Sequence, residues 1–457
     1  LIKEGFMVYP KTNGFRIFSI IWLGQLLSLF GTAMTRFALL IWAYQQTGTA
    51  TTVALLGFFT WLPFIVVSPL AGVLVDRFDR RKLMMLADFG AGISAIVVLL
   101  LLLSGKLVIW HLFALEVVAS FCEAFQTPAY TALSSMLLDK EAYGRASGMR
   151  SLAGESSQII APVGAGLLLG WIGLEGILLI DVATFLVAIA TLSIVRLSPA
   201  QLTNVHETTA PFWAQLTFGF RYIFARPGLI GLLVVFMGIN FCAALTYYSI
   251  LSAMILARTG GNEVALSIVQ AMLGVGGVLG GIVVSLRGLP RRKIHAIFGF
   301  AAASFLLGDF LLAIGRSLPM WSVAAVLSAF FVPFIVAGDR TIWQTKVNPA
   351  IQGRIFAVQG MLRNCFLPIG YLLAGPLADR LFEPALQFGG AWVAAFGWLV
   401  GSGPGAGMAL MFVCTAVIGA TISLCGYLIP AVRNVERDLP DYDTEGVTSE
   451  LIVTAAG

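Results

Sequence analysis

Read for its alternation of apolar and polar residues, the chain is a series of long hydrophobic runs separated by short polar breaks. A helix rises about 1.5 Å per residue, so a run of about 20 apolar residues can cross a bilayer. Twelve such spans are predicted, at 16–44, 51–75, 82–104, 109–134, 150–170, 176–195, 229–257, 264–286, 294–314, 319–345, 354–378 and 406–430. An even count puts both termini on one side. The first run continues well past a signal-peptide length and is read as a span.

Composition agrees with this pattern. The 457 residues are 58% hydrophobic and only 11% charged, more apolar surface than a soluble fold can hide. The basic residues sit in short loops, so membrane topology accounts for the net charge of +5 better than nucleic acid does. One side of the predicted membrane collects Lys3, Lys11, Arg16, the Arg77–Lys82 and Arg291–Lys293 clusters and most of the remaining basic residues. The other holds only Lys106, Arg258, Arg316 and Arg380. By the positive-inside rule the crowded side, with both termini, is cytoplasmic.

The spans divide into halves. Residues 1–195 are expected to form one six-helix bundle, 196–228 a cytoplasmic linker, 229–435 a second bundle and 436–457 a mobile tail. Phe212 to Phe224 reads as an amphipathic helix on the cytoplasmic surface. The segment from Leu381 to Gly405 reads as an outer loop carrying a hydrophobic helix near 391–400. Gly144-Arg145-Ala146 after span four is echoed by Gly353-Arg354-Ile355 after span ten, as expected of two related units that alternate access around a central site. The fold class is therefore an all-α membrane protein with twelve transmembrane helices in two pseudo-symmetric bundles.

Candidate chemistry lies in the polar residues of the spans, where charges are costly and normally face a cavity or a partner. Gln25, Ser28, Thr32 and Arg36 recur at helical spacing on one face of span one. Glu116, Ser120, Glu123, Thr127 and Tyr130 do the same on span four. Arg36 and Glu116 lie at similar depths, about 10 Å from the outer ends of their spans, and can pair. Glu123 lies nearer the middle and is the first candidate for proton coupling, followed by Glu116 and by Asp309 of span nine. A static charge network tying spans one and four together is the alternative. Asp88 is placed toward the cytoplasmic end of span three, and Asp181 at the outer interface.

In the second half, Asn240 and Tyr247 are expected to share a face of span seven, and Gln359 and Arg363 one of span eleven. Arg363 calls for an anion, from a substrate or from Asp309. Asp339 and Arg340 are expected to snorkel to the cytoplasmic surface. Gln25, Thr32, Arg36, Ser120, Thr127, Asn240, Tyr247, Gln359 and Arg363 make up the candidate cavity set. Gly274, Gly276, Gly277, Gly280 and Gly281 would let span eight approach a neighbour closely. Pro162 in span five can bend its helix. The five cysteines and three histidines lack metal-ligand spacing, so no metal is expected.

The most heavily charged stretch is the hinge Gly72-Val73-Leu74-Val75-Asp76-Arg77-Phe78-Asp79-Arg80-Arg81-Lys82. Gly72 and Asp76 stand one turn apart, suggesting close packing and an ionic latch. The hinge has a weaker echo in Arg287–Lys293, which lacks the acid. The pattern resembles the signature loop of the major facilitator superfamily between its second and third spans. The Ala161-Pro162-Val163-Gly164-Ala165-Gly166 stretch resembles a degraded fifth-span antiporter motif. Pro128-Ala129-Tyr130 and Gly144-Arg145-Ala146-Ser147-Gly148 are similar to bacterial proton-coupled exporters of the macrolide-efflux type. The resemblance implies that Asp76 latches a helix of the opposite bundle, that Arg77 and Arg80 complete a charge relay, and that Arg81 and Pro162 serve the same conformational machinery.

The expected function is proton-driven export of amphiphilic small molecules across a bacterial cytoplasmic membrane. No cofactor is expected beyond the proton gradient. The partners are substrate, protons and lipid, with no nucleic acid, and the protein is expected to work as a monomer. Alternatives are a specific exporter of a siderophore or other anionic metabolite, held by Arg36 and Arg363, a lysophospholipid transporter or flippase, and a membrane receptor or scaffold. An enzyme is not expected, because no nucleophile–base pair or phosphate loop is present.

Overall fold

The computed structural model describes residues 14–77, 79–139, 142–194, 212–348 and 351–441. Among these, every regular element is a helix. Four long helices come first: α1 (Gly14–Thr47), α2 (Ala50–Arg77), α3 (Arg80–Leu103) and α4 (Ile109–Leu137). Asp79 starts α3 by accepting from the backbone N–H groups of Arg81 and Lys82. The next run, Tyr143–Ile194, is interrupted at Gly173, whose φ of 67° suits a residue without Cβ. This divides it into α5 (143–172) and α6 (174–194).

The second half begins with α7 (Phe212–Phe224), the helix read as amphipathic, then α8 (Pro227–Leu245), α9 (Leu251–Thr259) and α10 (Glu263–Arg287). α11 (Lys293–Ala303) passes through a π-helical turn, Ser304–Asp309, into α12 (Phe310–Ile314). There follow α13 (Leu318–Phe330), α14 (Val332–Lys346), α15 (Gln352–Asn364) and α16 (Leu367–Leu377). A second π-turn, Ala378–Phe382, leads into the short α17 (Glu383–Leu386). The segment after α17 carries α18 (Val393–Val400), and α19 (Ala406–Cys425) is the last long helix.

Among the described residues, ten helical runs are long and apolar enough to cross a membrane. The run divided at Gly173 counts once among them, and so do α11–α12, α13–α14 and α15–α17, each pair or group taken together. α4 stands outside the ten although its 29 residues are ample, because Glu116, Glu123 and Gln126 lower its hydropathy. Large apolar side chains such as Trp171, Leu100 and Leu167 face outward, a surface that lipid rather than water would solvate.

Three spans expected to be continuous are broken. α8 ends at Thr246, whose hydroxyl bonds back to the Cys242 carbonyl at 3.2 Å and to Thr415 of α19 at 2.9 Å. α14 and α16 each begin with a proline in the first turn, Pro333 and Pro368. Proline lacks an N–H and clashes with the preceding turn, so it suits a helix start and kinks or breaks a helix interior.

Contacts group the described residues of Leu1–Leu39 and Val66–Glu207 into one compact unit, and those of Leu40–Ile65 and Thr208–Gly457 into another. The first has a core around Ile21, Met84, Ala129, Leu133 and Leu192. The second is built on α8, α11 and α14, with Phe298, Trp343 and Leu232 fully buried.

In the second unit α10 lies directly on α13. A Cβ at Gly276 or Gly280 would collide with the Val326 or Phe330 carbonyl, whereas Gly277 and Gly281 face open space. Only part of the glycine-rich stretch is thus used for close approach. The start of the tail departs from the mobile segment expected. The Glu436 carboxylate caps α11 by accepting from Lys293 N at 3.0 Å and Ile294 N at 3.2 Å. Buried Lys346 donates to the Glu436 and Leu439 carbonyls and pairs with Asp441 at 2.8 Å.

Candidate functional site

In the first unit α1 and α4 bring their polar stripes together as the spacing predicts. Arg36 Nη2 lies 3.1 Å from Glu116 Oε1 and 2.8 Å from Glu123 Oε2. The two glutamates are seven residues apart, two turns along one face of α4, which is why one guanidinium reaches both. Two carboxylates share one cation, so the cluster carries one excess negative charge when fully ionised. Glu123 is the more open of the two, 39% exposed against 17% for Glu116. Ser120, between them, is fully buried, and Thr127 is exposed.

Two further carboxylates join this helix group, Asp88 from α3 and Asp181 from α6, the second of them away from the interface where the sequence reading put it. Asp88 is buried and faces α1 and α4: Gln25 Nε2 donates to its Oδ2 at 2.7 Å, and Gln126 Nε2 to its Oδ1. Gln126 also donates to Gln25 Oε1 at 3.0 Å, closing a ring of three side chains. Asp181 is buried in the unit, not interfacial, and accepts from Thr32 Oγ1 at 3.1 Å. Gln126 escaped notice in the sequence although it follows Glu123 by three residues, close to the same face.

The second unit has its own charge centre. Asp339, 1% exposed, accepts from Trp343 Nε1 at 3.0 Å, Gln359 Nε2 at 3.2 Å and Arg363 Nη1 at 3.3 Å. It does not snorkel. Its partners on α15, four residues apart, turn it inward, and its ion pair lies with Arg363, the residue assigned to Asp309 or a substrate. Asp309 instead sits buried in the π-turn and accepts from Ser328 Oγ at 2.6 Å. Asn240 Nδ2 donates to the Arg363 carbonyl at 3.0 Å. Tyr247 does not share its helical face, because α8 stops before Tyr247; that ring packs edge-on against Tyr248 at 5.2 Å.

Removing the Asp339 carboxylate leaves a buried indole N–H and a guanidinium without their shared acceptor. Asp339→Ala is expected to cost about 3 kcal/mol, read as a lower thermal unfolding midpoint in detergent. Asp339→Asn, which keeps an acceptor but no charge, should fall between. An unshifted midpoint for Asp339→Ala would show that this pairing is not structural.

For the hinge residues Gly72, Asp76, Arg77 and Arg80 only the backbone is described. Arg81 donates to the carbonyls of Leu192 at 2.9 Å and Ser193 at 2.8 Å, capping the end of α6. Pro162 is buried within α5. At the other end of the second unit Arg258 donates to four carbonyls: Gly315 and Val400 at 2.6 Å, Ala313 and Gly405 at 3.3 Å. Glu383 caps α19 through Gly405 N and Met408 N. Among the described residues no group of His, Cys, Asp and Glu could hold a metal ion.

These buried, paired charges on long apolar helices suit passage of a solute better than turnover of one. Known proteins agree. Macrolide efflux protein A of Streptococcus pyogenes is 28% identical over 384 residues, covering 81% of this chain and 92% of that protein. The multidrug efflux pump Tap of Mycolicibacterium fortuitum is 26% identical over 349 residues, covering 73% and 82%. The crystal structure of the nucleoside transporter NupG matches with a TM-score of 0.66 at 12% identity, covering 90% of this chain and 98% of that one. That of a bacterial homologue of the iron transporter ferroportin matches with a TM-score of 0.63 at 15% identity, covering 90% and 99%. The profile of the Major Facilitator Superfamily matches residues 21–371. The chain is a multi-pass membrane protein and a transporter rather than an enzyme, and it belongs to the Major Facilitator Superfamily.

Proposed function

We propose that this protein is a proton-coupled exporter of amphiphilic small molecules, working by alternating access in a bacterial cytoplasmic membrane with both termini in the cytoplasm. The observation that carries the reading is the sharing of Arg36 between Glu116 and Glu123. A cluster with one excess negative charge accepts either a proton or the positive group of an amphiphile, and each neutralises what the other needs. Glu123 is the more open member and takes the proton. Its neutralisation leaves Arg36 to Glu116 alone. The efflux names of relatives at 28% and 26% identity support export.

The test is proton-gradient-driven uptake into inverted vesicles, with a broad compound panel, for wild type and Glu123→Gln. The expected result is loss of gradient-driven uptake, down by about 100-fold or to background, with substrate binding retained. Coupling that survives in Glu123→Gln would move the proton to another carboxylate, with Glu116, Asp309 and Asp88 next.

A second reading, export of an anionic metabolite, is favoured by one observation in the second unit. Arg363 Nε is buried with no hydrogen-bond partner, so that guanidinium has donor capacity left after pairing with Asp339. Efflux of matched anionic and cationic compounds by an Arg36→Ala, Arg363→Ala double variant separates the two: selective loss of the anion would favour the second.

A further inference from the structure

The chain carries the pattern Leu-Ala-Gly-x-Leu-x-Asp-Arg twice. One copy, Leu70 to Arg77, ends α2 in the hinge; the other, Leu373 to Arg380, ends α16. In the second copy the glycine and the acid act together on the start of α2. A Cβ at Gly375 would overlap the backbone of Thr51. One turn later Asp379 accepts from Ala50 N at 2.9 Å, Thr51 N at 2.8 Å and Thr51 Oγ1 at 2.6 Å.

The spacing of four explains the pairing: glycine permits the backbones to meet, and the acid on the same face binds what has come close. The carboxylate satisfies N–H groups that have no partner within the helix and meets the positive end of its dipole. Beneath this cap Phe58, Trp61 and Ile65 of α2 pack on Ala244, Leu367 and Tyr371. Residues 40–65 are thus grouped with the second unit although the chain on both sides of them counts with the first. Asp379 is only partly buried, so water can take over its hydrogen bonds when the helix start leaves.

We propose that Gly375 and Asp379 form an outer latch, the counterpart on the opposite membrane face of the one read from Gly72 and Asp76. Asp379 is a positioning residue: it holds the start of α2 against α16 while the outer entrance is shut, and releases it when substrate leaves. This rests on the exporter reading for its direction.

The probe is a Phe58→Cys protein whose five native cysteines are replaced by serine, labelled in intact cells with a membrane-impermeant maleimide. Position 58 lies about 12 Å along α2 from its start, too far for a merely frayed first turn to expose it. With Asp379 in place labelling is expected to be slow. With Asp379→Ala, and separately with Gly375→Leu, it should be about tenfold faster. Asp379→Glu should restore much of the protection, and Arg380→Ala should leave it unchanged.

Hydrogen exchange at residues 48–56 of the full chain reports whether the cap itself has gone. Faster exchange there with unchanged labelling at position 58 would overturn the proposal, making Asp379 a static cap. Should Gly375→Leu fail to fold, Asp379→Ala and its Glu rescue decide alone. Labelling requires neither substrate nor gradient, so its outcome is separate from that of the Glu123→Gln vesicle experiment.

Discussion

Arg36→Ala is expected to end gradient-driven export and to destabilise the protein. The substitution leaves Glu116 and Glu123 facing each other across one face of α4 without the guanidinium that lies within 3.1 Å of both. Arg36 and Glu123 are each more than a third exposed, so water compensates in part, and the stability loss is about 1–3 kcal/mol. Transport should fall further than stability does, because the proposed proton site loses the cation that holds its geometry. Arg36→Lys keeps the charge but not the planar fork that reaches two carboxylates, and should recover only part of the activity. A Glu116→Ala change added to Arg36→Ala should return some stability by relieving the repulsion between the two acids. The measurements are vesicle uptake and the thermal midpoint in detergent. Coupled export persisting in Arg36→Ala would dismiss the cluster as a working part.

The second large effect is steric and contrasts neighbours in one motif. Gly280→Leu drives a side chain into the Phe330 carbonyl and must force α10 away from α13, at a cost of about 3 kcal/mol or more. Gly277→Leu, three residues earlier, points into open space and should be tolerated. The check is the yield of monodisperse protein and its unfolding midpoint for the two variants side by side. Equal behaviour would mean that α10 and α13 do not pack as described.

That contrast marks where sequence reading reaches and where it stops. Bilayer thickness sets the length of an apolar run, so the long helices were legible. The Arg36 cluster was legible in part: α1 and α4 each display polar residues at helical spacing, and depth paired Arg36 with Glu116. Glu123, expected nearer the middle without a full partner, instead holds the shorter contact. Which glycines face a neighbour was not legible, since that depends on the rotation of α10 about its axis. Asp339 misled for a related reason. Its depth suggested an escape to water, but Gln359 and Arg363 of another helix turn it inward, and a partner distant in sequence leaves no local mark. Thr246, Pro333 and Pro368 broke helices inside apolar runs, where hydropathy is blind to backbone hydrogen bonding. The pairing of Asp379 with Thr51 was hidden by 328 residues of separation, although its motif repeats the hinge.

The four carbonyls moored to Arg258 come from the end of α12, the end of α18 and the turn that opens α19. With Glu383 tying the same turn from the other side, the long segment from α17 to α19 is bolted to its own bundle at both ends. It is thus built into that bundle and is not hung from it as a free flap. Under the alternating-access reading proposed above, whatever shuts the mouth on that side has to be built from the helices themselves.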